Sequence, residues 1–328
     1  MKFQIRTLRA PDDYEAVASL LNTIHSEPTT GKQLEEDEAK IPPGKLHYDE
    51  EGRLKGWDRP KWVAEDDGGK VIGYAIIWRA PWTEAGQLFH TVVVDSDSRR
   101  QGVGTALYDT LVRWAAEVRA SKLRQAVQET DANSLAFAER RGYRMERHTF
   151  ESVLDVAAFD RHELFDSIVS VEQSGIRFVT YADESGEENE LKLYELYKST
   201  ELDIPGRSGG YPPIDEWRKW EIGILGSRPQ WCHIAKDGDR YVGVVNLIQN
   251  EQTKAMYHEF TGVLREYRNR RIALALKLLG LRTAMEVGAP YLRTHNDSLN
   301  GPMLRINREL LGFTAEPGQY KMVRLLGE

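Results

Sequence analysis

A single cysteine, Cys232, occurs in 328 residues. Its solitude excludes a disulfide within the chain and a zinc cluster built on cysteines, and it fits a reducing compartment; its expected role is core filler. Basic charge is also scarce, with 44 Lys and Arg against 51 Asp and Glu for a net charge of -7. Wrapping nucleic acid requires a basic face to neutralise phosphates, so the balance argues against a nucleic-acid partner and leaves a small cationic substrate compatible. No apolar run approaches the ~20 residues needed to span a bilayer. The mixed, charged residues from Met1 to Ala10 carry no signal-peptide pattern. The expectation is a soluble, cytoplasmic protein with no membrane partner and no metal; the oligomeric state is not readable. At about twice the length of a typical domain, the chain is expected to hold two.

What is present centres on Val92-Val93-Val94 followed by Asp95 to Arg100, Gln101, Gly102, Val103, Gly104 and Thr105. Three β-branched residues suit a covered strand, and Asp95 to Arg100 is turn chemistry. Val103, Leu107, Leu111 and Trp114 recur at helical spacing. Two glycines let the backbone approach a ligand closely, and the helix start offers unpaired N–H groups and a favourable dipole to an anion. The arrangement predicts a phosphate site. Arg99-x-x-Gly102-x-Gly104 resembles the pyrophosphate-binding motif of the Gcn5-related N-acetyltransferases, whose acyl donor is acetyl-CoA.

The elements around it follow in a readable order. Phe3, Ile5 and Leu8 suggest a strand, and Asp12 or Asp13 an N-cap for a helix running to about Ile24. The polar stretch from Ser26 to Arg59, with the acidic cluster Glu35 to Glu38, reads as a solvated loop containing one helix. Lys61–Glu65 and Val71–Trp78 flank Asp66-Asp67-Gly68-Gly69 as a hairpin. A strand over Gln87–Val94, a helix from Gly102, a strand over Lys122–Glu129, a helix ending at Arg141-Gly142 and a strand over Tyr143–Val156 complete the first half.

The second half repeats this pattern. Ile176–Thr180, a helix from Asn189 to Thr200, a Pro/Gly-rich stretch from Asp203 to Pro213, a hairpin of Trp231–Ala235 and Tyr241–Ile248, and a strand over Met256–Leu264 recur in order. Arg268 to Ala273 then takes the place of Arg99 to Gly104, with Val263 preceding Arg268 as Val94 precedes Arg99. With Asn133…Arg141-Gly142-Tyr143 and Asn300…Leu311-Gly312-Phe313, the whole chain resembles a tandem acetyltransferase of the kind found in bacterial two-domain enzymes such as mycothiol synthase. The implied fold is α/β (α+β), two tandem copies of a mixed, mostly antiparallel sheet flanked by helices, over residues 1-165 and 166-328.

The resemblance implies that acetyl-CoA is the co-substrate. Its contacts are expected at Val92, Val93, Val94, Arg99, Arg100, Gln101, Gly102, Val103, Gly104, Thr105 and Asn133, and at Val263, Arg268, Arg270, Arg271, Ala273 and Asn300 in the second copy. The first turn is favoured because it alone keeps both glycines; Arg271 stands where the second would have one. In similar proteins, however, the second domain carries the catalysis. The tyrosine that often protonates the leaving thiolate is missing, Ala138 and Arg308 standing in its place. His90 and Glu259 each lie nine residues before the turn arginine, which makes them candidate bases at equivalent positions facing the same way. Trp78 and Trp82 are candidate pocket walls. The expected reaction is acetyl transfer to the primary amine of a small molecule; the alternatives are a module that binds acetyl-CoA without transfer, and transfer to a protein amine.

Overall fold

The computed structural model describes residues 2–327. In chain order the elements are β1 (Phe3–Thr7), α1 (Tyr14–Leu21), α2 (Gly31–Ala39), β2 (Lys45–Tyr48), β3 (Leu54–Trp57), β4 (Lys61–Asp66), β5 (Val71–Trp78), β6 (Gln87–Val94), α3 (Val103–Glu117), β7 (Lys122–Gln128), α4 (Ala132–Glu139) and β8 (Arg144–Asp155). They continue with α5 (Asp166–Gln173), β9 (Ile176–Thr180), α6 (Glu187–Glu201), α7 (Ile214–Trp217), β10 (Ser227–Asp237), β11 (Arg240–Gln249), β12 (Met256–Val263), α8 (Ile272–Glu286), β13 (Tyr291–Asp297), α9 (Gly301–Leu304), β14 (Thr314–Ala315) and β15 (Gln319–Leu325). Turns of π-helix extend α7 over Arg218–Ile222 and α9 over Arg305–Leu310.

Two compact units result, one of Met1–Glu146, Ser208–Gly210 and Gln319–Glu328, the other of Arg147–Arg207 and Tyr211–Gly318. They do not follow the chain-order halves 1-165 and 166-328. The sheet of the first unit runs β1-β4-β5-β6-β7-β15, and that of the second runs β9-β10-β11-β12-β13-β8. Each sheet therefore ends on a strand from the other half of the sequence. In the first unit β15 pairs antiparallel with β7, Leu123 opposite Arg324. In the second, β8 pairs with β13, Leu154 opposite Leu292, and also carries β14.

In the first unit β5 is buried on both faces over seven of its eight residues, which is why it reads as a continuous apolar run. One face packs on Val103, Leu107 and Leu111 of α3, the other on Val17, Leu20 and Leu21 of α1. Gly73 admits α3, since a Cβ there would stand 2.9 Å from the Leu107 side chain. Asp13 sits at the N-cap of α1 without capping it. Its carboxylate instead accepts from Arg6 at 2.7 and 2.9 Å and from the Arg9 N–H at 2.7 Å. The polar stretch holds α2, closed by a Thr30–Gln33 capping box, and additionally the β2–β3 hairpin, whose short, half-polar strands carry little apolar alternation.

The second unit repeats the plan with a deeper core. Helix α8 buries ten of its fifteen residues, because α5 covers a face that is exposed on α3; Ile168 and Val171 of α5 join that core. On the other face Leu193, Leu196 and Tyr197 of α6 pack with Trp217, Cys232, Ile234 and Val244. Cys232 is core filler, its thiol pushed up to about 12 by burial. The short α5 has no counterpart in the repeat as read from the sequence.

Met322 of β15 is 3% exposed and belongs to the core around α3. Met322→Ala is expected to cost ~2–5 kcal/mol, and hydrogen exchange should show the loss in β7 and α3. Accelerated exchange confined to β12 and α8 would contradict the strand exchange.

Candidate functional site

In each unit two parallel strands pair briefly and then part. β6 and β7 are in register only at Gln87–Lys122, Leu88–Leu123 and Phe89–Arg124. β12 and β13 are in register only at Met256–Leu292, Tyr257–Arg293 and His258–Thr294. Beyond those points the facing edge of β6 or β12 has backbone groups without a strand partner, an opening that an extended ligand can enter and satisfy.

The turn after each strand has one backbone conformation in both units. Arg99 Nε donates to the Val94 carbonyl at 3.2 Å and Arg268 Nε to that of Val263 at 3.1 Å. Left-handed residues follow, Arg100 (φ 61°) and Gly102 (φ 87°) in one, Asn269 (φ 63°) and Arg271 (φ 60°) in the other. A Cβ at Gly102 would meet nothing within 4 Å. The glycine is thus required for its φ and not for space, and Arg271 holds the same φ at a cost of roughly 1–2 kcal/mol. Gly102 and Arg271 are the N-caps of α3 and α8, and neither helix start has a side-chain cap, leaving its first N–H groups available to an anion.

The strands differ by one residue. In the first unit the β5–β6 register is unbroken from Gly73–Val94 to Trp78–Phe89. In the second the register shifts between Asn246–Phe260 and Leu247–His258, so that Glu259 is an extra residue, a β-bulge. Ile77 faces His90 as Leu247 faces His258, which makes His258, and not Glu259, the counterpart of His90. The equal spacing of His90 and Glu259 from their arginines is coincidental to the ladder.

This corrects the role open to His90. It is 3% exposed on the α3 side of the sheet, where Nε2 meets the Tyr143 hydroxyl at 2.6 Å. Burial, with the charge of Arg324 adding, lowers it to about 3, so the imidazole is neutral and weakly basic. Tyr143 in turn contacts Tyr108, whose hydroxyl accepts from Arg324 at 2.7 Å. Glu259 instead belongs to the α6 side. Its carboxyl is raised by burial and by the charge of Glu151, and its charge reaches Tyr197 of α6 and Glu221. A half-buried carboxylate with raised proton affinity is a competent base.

In the second unit, beginning two residues further along β12, lies a cleft of about 840 Å³, lined by Thr261, Gly262 and Val263 of β12, Arg268, Asn269 and Arg271 of the turn, Ala273 of α8, Asn300 and Met303. Thr200 of α6 forms another wall; Gly262 permits this, since a Cβ would stand 2.4 Å from the Thr200 hydroxyl. At the turn, Arg265 and Arg268 both bind the Asp203 carboxylate, holding it down to about 2. Asn300 caps α9 through the Met303 N–H at 3.4 Å. Asn133 is not its equivalent: the cap of α4 is Asp131, which accepts from the Ser134 N–H at 3.0 Å, while Asn133 accepts from Arg100. Arg270 lies over the Tyr267 ring, and Gln101 donates to the Asp97 carbonyl. Thr105 accepts from Arg141 at 3.2 Å. Ala138 is buried and Arg308 exposed; beside the latter, Asn307 is fully buried and donates to Asn296 at 2.8 Å. Trp78 stacks on Phe89 at 4.7 Å.

Sequence reasoning passed over Lys277, which is 1% exposed on α8 with Nζ 3.2 Å from both His258 Nδ1 and Thr294 Oγ1. Burial lowers it to about 7. A lone lysine inside Ala273-Leu274-Ala275-Leu276 and Leu278-Leu279 was the available signal.

The model of the acetyltransferase (GNAT) family matches residues 21–143 and again 191–313, most of the chain. The protein belongs to the GNAT family. It is a tandem GNAT protein, with one copy of the fold in each unit. Its fold is similar to a tandem GNAT protein from the clavulanic acid biosynthesis pathway (17% identity, 100% of this chain and 99% of that one, TM-score 0.74). It is also similar to a GCN5-related N-acetyltransferase from Sphaerobacter thermophilus (18%, 98% and 95%, TM-score 0.69). No curated protein matches the GNAT chain by sequence. Among the described residues no helix is long and apolar enough to cross a membrane, and no group of three or more His, Cys, Asp or Glu could hold a metal ion.

Between about pH 7 and the ordinary lysine value of 10.5, folded Lys277 binds fewer protons than it does unfolded, so its destabilising effect fades as pH rises through that window. The stability of Lys277→Met relative to the parent, measured by urea unfolding, should therefore fall between about pH 7 and about pH 9.5. A difference independent of pH would show that Lys277 stays charged.

Proposed function

We propose that the second unit of this GNAT protein transfers an acetyl group from acetyl-CoA to a primary amine of a small molecule. The observation that carries this reading is the bulge that sets Glu259 on the α6 side of β12, two residues before the cleft wall begins at Thr261. Acetyl-CoA supplies a thioester whose carbonyl carbon is open to the amine and whose sulfur leaves as the thiol. Arg268, Arg271 and the first N–H groups of α8 hold its pyrophosphate. The open edge of β12 takes the pantetheine, and an N–H near Gly262 or Val263 polarises the carbonyl. Glu259 accepts the proton that the amine nitrogen loses as it bonds to the acetyl carbon, and the departing sulfur takes its proton from solvent.

The first unit is proposed to bind acetyl-CoA without transfer. It keeps the turn and the opened strands, but its unbroken ladder provides no bulged residue, and Thr91, opposite Ile76, offers no base on that side.

Glu259→Gln should lower kcat with an amine panel by ~10²–10⁴, read as release of free CoA thiol, and should remove the acidic limb of the pH profile. That limb is expected above the usual carboxylate range, because Glu259 is raised and must be deprotonated to act. His90→Gln should stay near parental turnover; equal losses in both variants would refute the assignment of the base. Separately, acetyl-CoA titrations by calorimetry should show that Ala273→Glu removes the binding coupled to turnover, while Gly102→Glu removes binding without loss of turnover. The reverse pattern would place catalysis in the first unit.

A further inference from the structure

Glu259 is one of three carboxyl groups gathered in the second unit. Glu201 ends α6 and Glu221 lies in the π-helical turn after α7. The charges of Glu201 and Glu259 both act on Glu221, which burial pushes up to about 8. Glu201 pairs with Arg207, whose charge also reaches Glu221, and among the described residues neither Glu221 nor Glu259 has an ion pair of its own. Like charges brought together out of water repel unless a cation joins them.

Two buried side chains with unpartnered oxygens flank Phe260, the residue after Glu259. Tyr197 is fully buried and its hydroxyl has no hydrogen-bond partner. That hydroxyl is raised well above its ordinary value by burial, with the charges of Cys232, Glu221 and Glu259 adding, and it lies on α6, the helix that Glu201 ends. Its ring is stacked on Phe260 at 4.4 Å and edge-on to Trp217 at 5.4 Å. Asn246, also fully buried, donates to the Glu221 carbonyl at 3.1 Å while its Oδ1 is unpartnered. An acceptor oxygen, a phenol and aromatic faces beside carboxylates are the groups that bind an alkylammonium. The donor set does not suit a metal ion, since no three carboxylate or imidazole groups stand close enough together. A cation whose charge is spread over several ångströms suits the separated carboxylates.

We propose that the acceptor is a small diamine or polyamine, whose reacting amine lies at Glu259 and whose second ammonium is held by Glu221, Asn246 Oδ1 and the Tyr197 hydroxyl. This rests on the acetyl-transfer reading of the second unit and adds the substrate class. Glu221 is then a specificity residue: it binds the distal charge and takes no part in the proton transfer at the reacting nitrogen. The charge borne by Glu221 is restored by the ligand, since an adjacent ammonium favours the ionised carboxylate.

The test compares 1,4-diaminobutane with n-butylamine on the full-length protein, by calorimetric binding and by CoA thiol release. The parent should favour the diamine in Kd and in kcat/KM on the order of ten- to hundredfold, the scale of one charge-assisted contact. Glu221→Gln should bring the ratio near one, and Glu221→Asp, which keeps the charge, should retain most of it. Circular dichroism confirms that each variant is folded. Equal binding and turnover of the two amines by the parent would overturn the diamine assignment while leaving acetyl transfer intact. Preferential diamine binding that Glu221→Gln abolishes, without thiol release, would support the site and refute acetyl transfer. An unchanged ratio in Glu221→Gln would remove Glu221 from recognition.

Discussion

In each unit, two parallel strands that pair over three residues and then separate organise the candidate site. A sheet normally satisfies its own backbone, and an opening in it must be filled by something that offers hydrogen bonds in return. The parting of β12 and β13 exposes the edge of β12 to the cleft. The turn and helix that follow the same strand add N–H groups at one end of the opening, and the bulge adds a carboxylate at the other. Free N–H groups, an open strand edge and a carboxylate are thus laid out along one strand and its continuation.

The paired turns separate two explanations of a glycine. Gly102 and Arg271 hold nearly the same φ, and the space beside Gly102 is empty, so conformational freedom and not crowding accounts for the motif. An arginine at that position retains the backbone cradle and adds a guanidinium to the cleft wall. The missing glycine therefore leaves the backbone conformation of the turn intact.

Much of the fold was legible. The strands over Gln87–Val94 and Ile176–Thr180 match the alternation and β-branching of their sequences, and the repeat of strand, turn and helix identified the family. The bulge was not legible, because one extra residue in a strand leaves no compositional mark; it shifted the comparison so that Glu259 was set against His90, whose true counterpart is His258. Asn133 stands second in the helix that Asp131 caps, unlike the capping Asn300, a difference that the shared Asn-to-Gly spacing did not show. The acidic group at Glu201 and Glu221 comes from separate elements that only tertiary packing brings together, so no local pattern announces it. The exchange of the last strands escaped because β8 and β15 have the right character for either sheet.

That exchange gives the chain a particular order of assembly. Residues 122–128 find their antiparallel partner only at residues 319–325, roughly two hundred positions later, a long-range closure of the kind that slows folding. During synthesis the first unit has an open β7 edge until residues 319–325 emerge, while β8 can join β13 once residues 291–297 have emerged. The N-terminal unit, though made first, is completed last, and a break of the gene between its two repeats would leave each product without its own final strand.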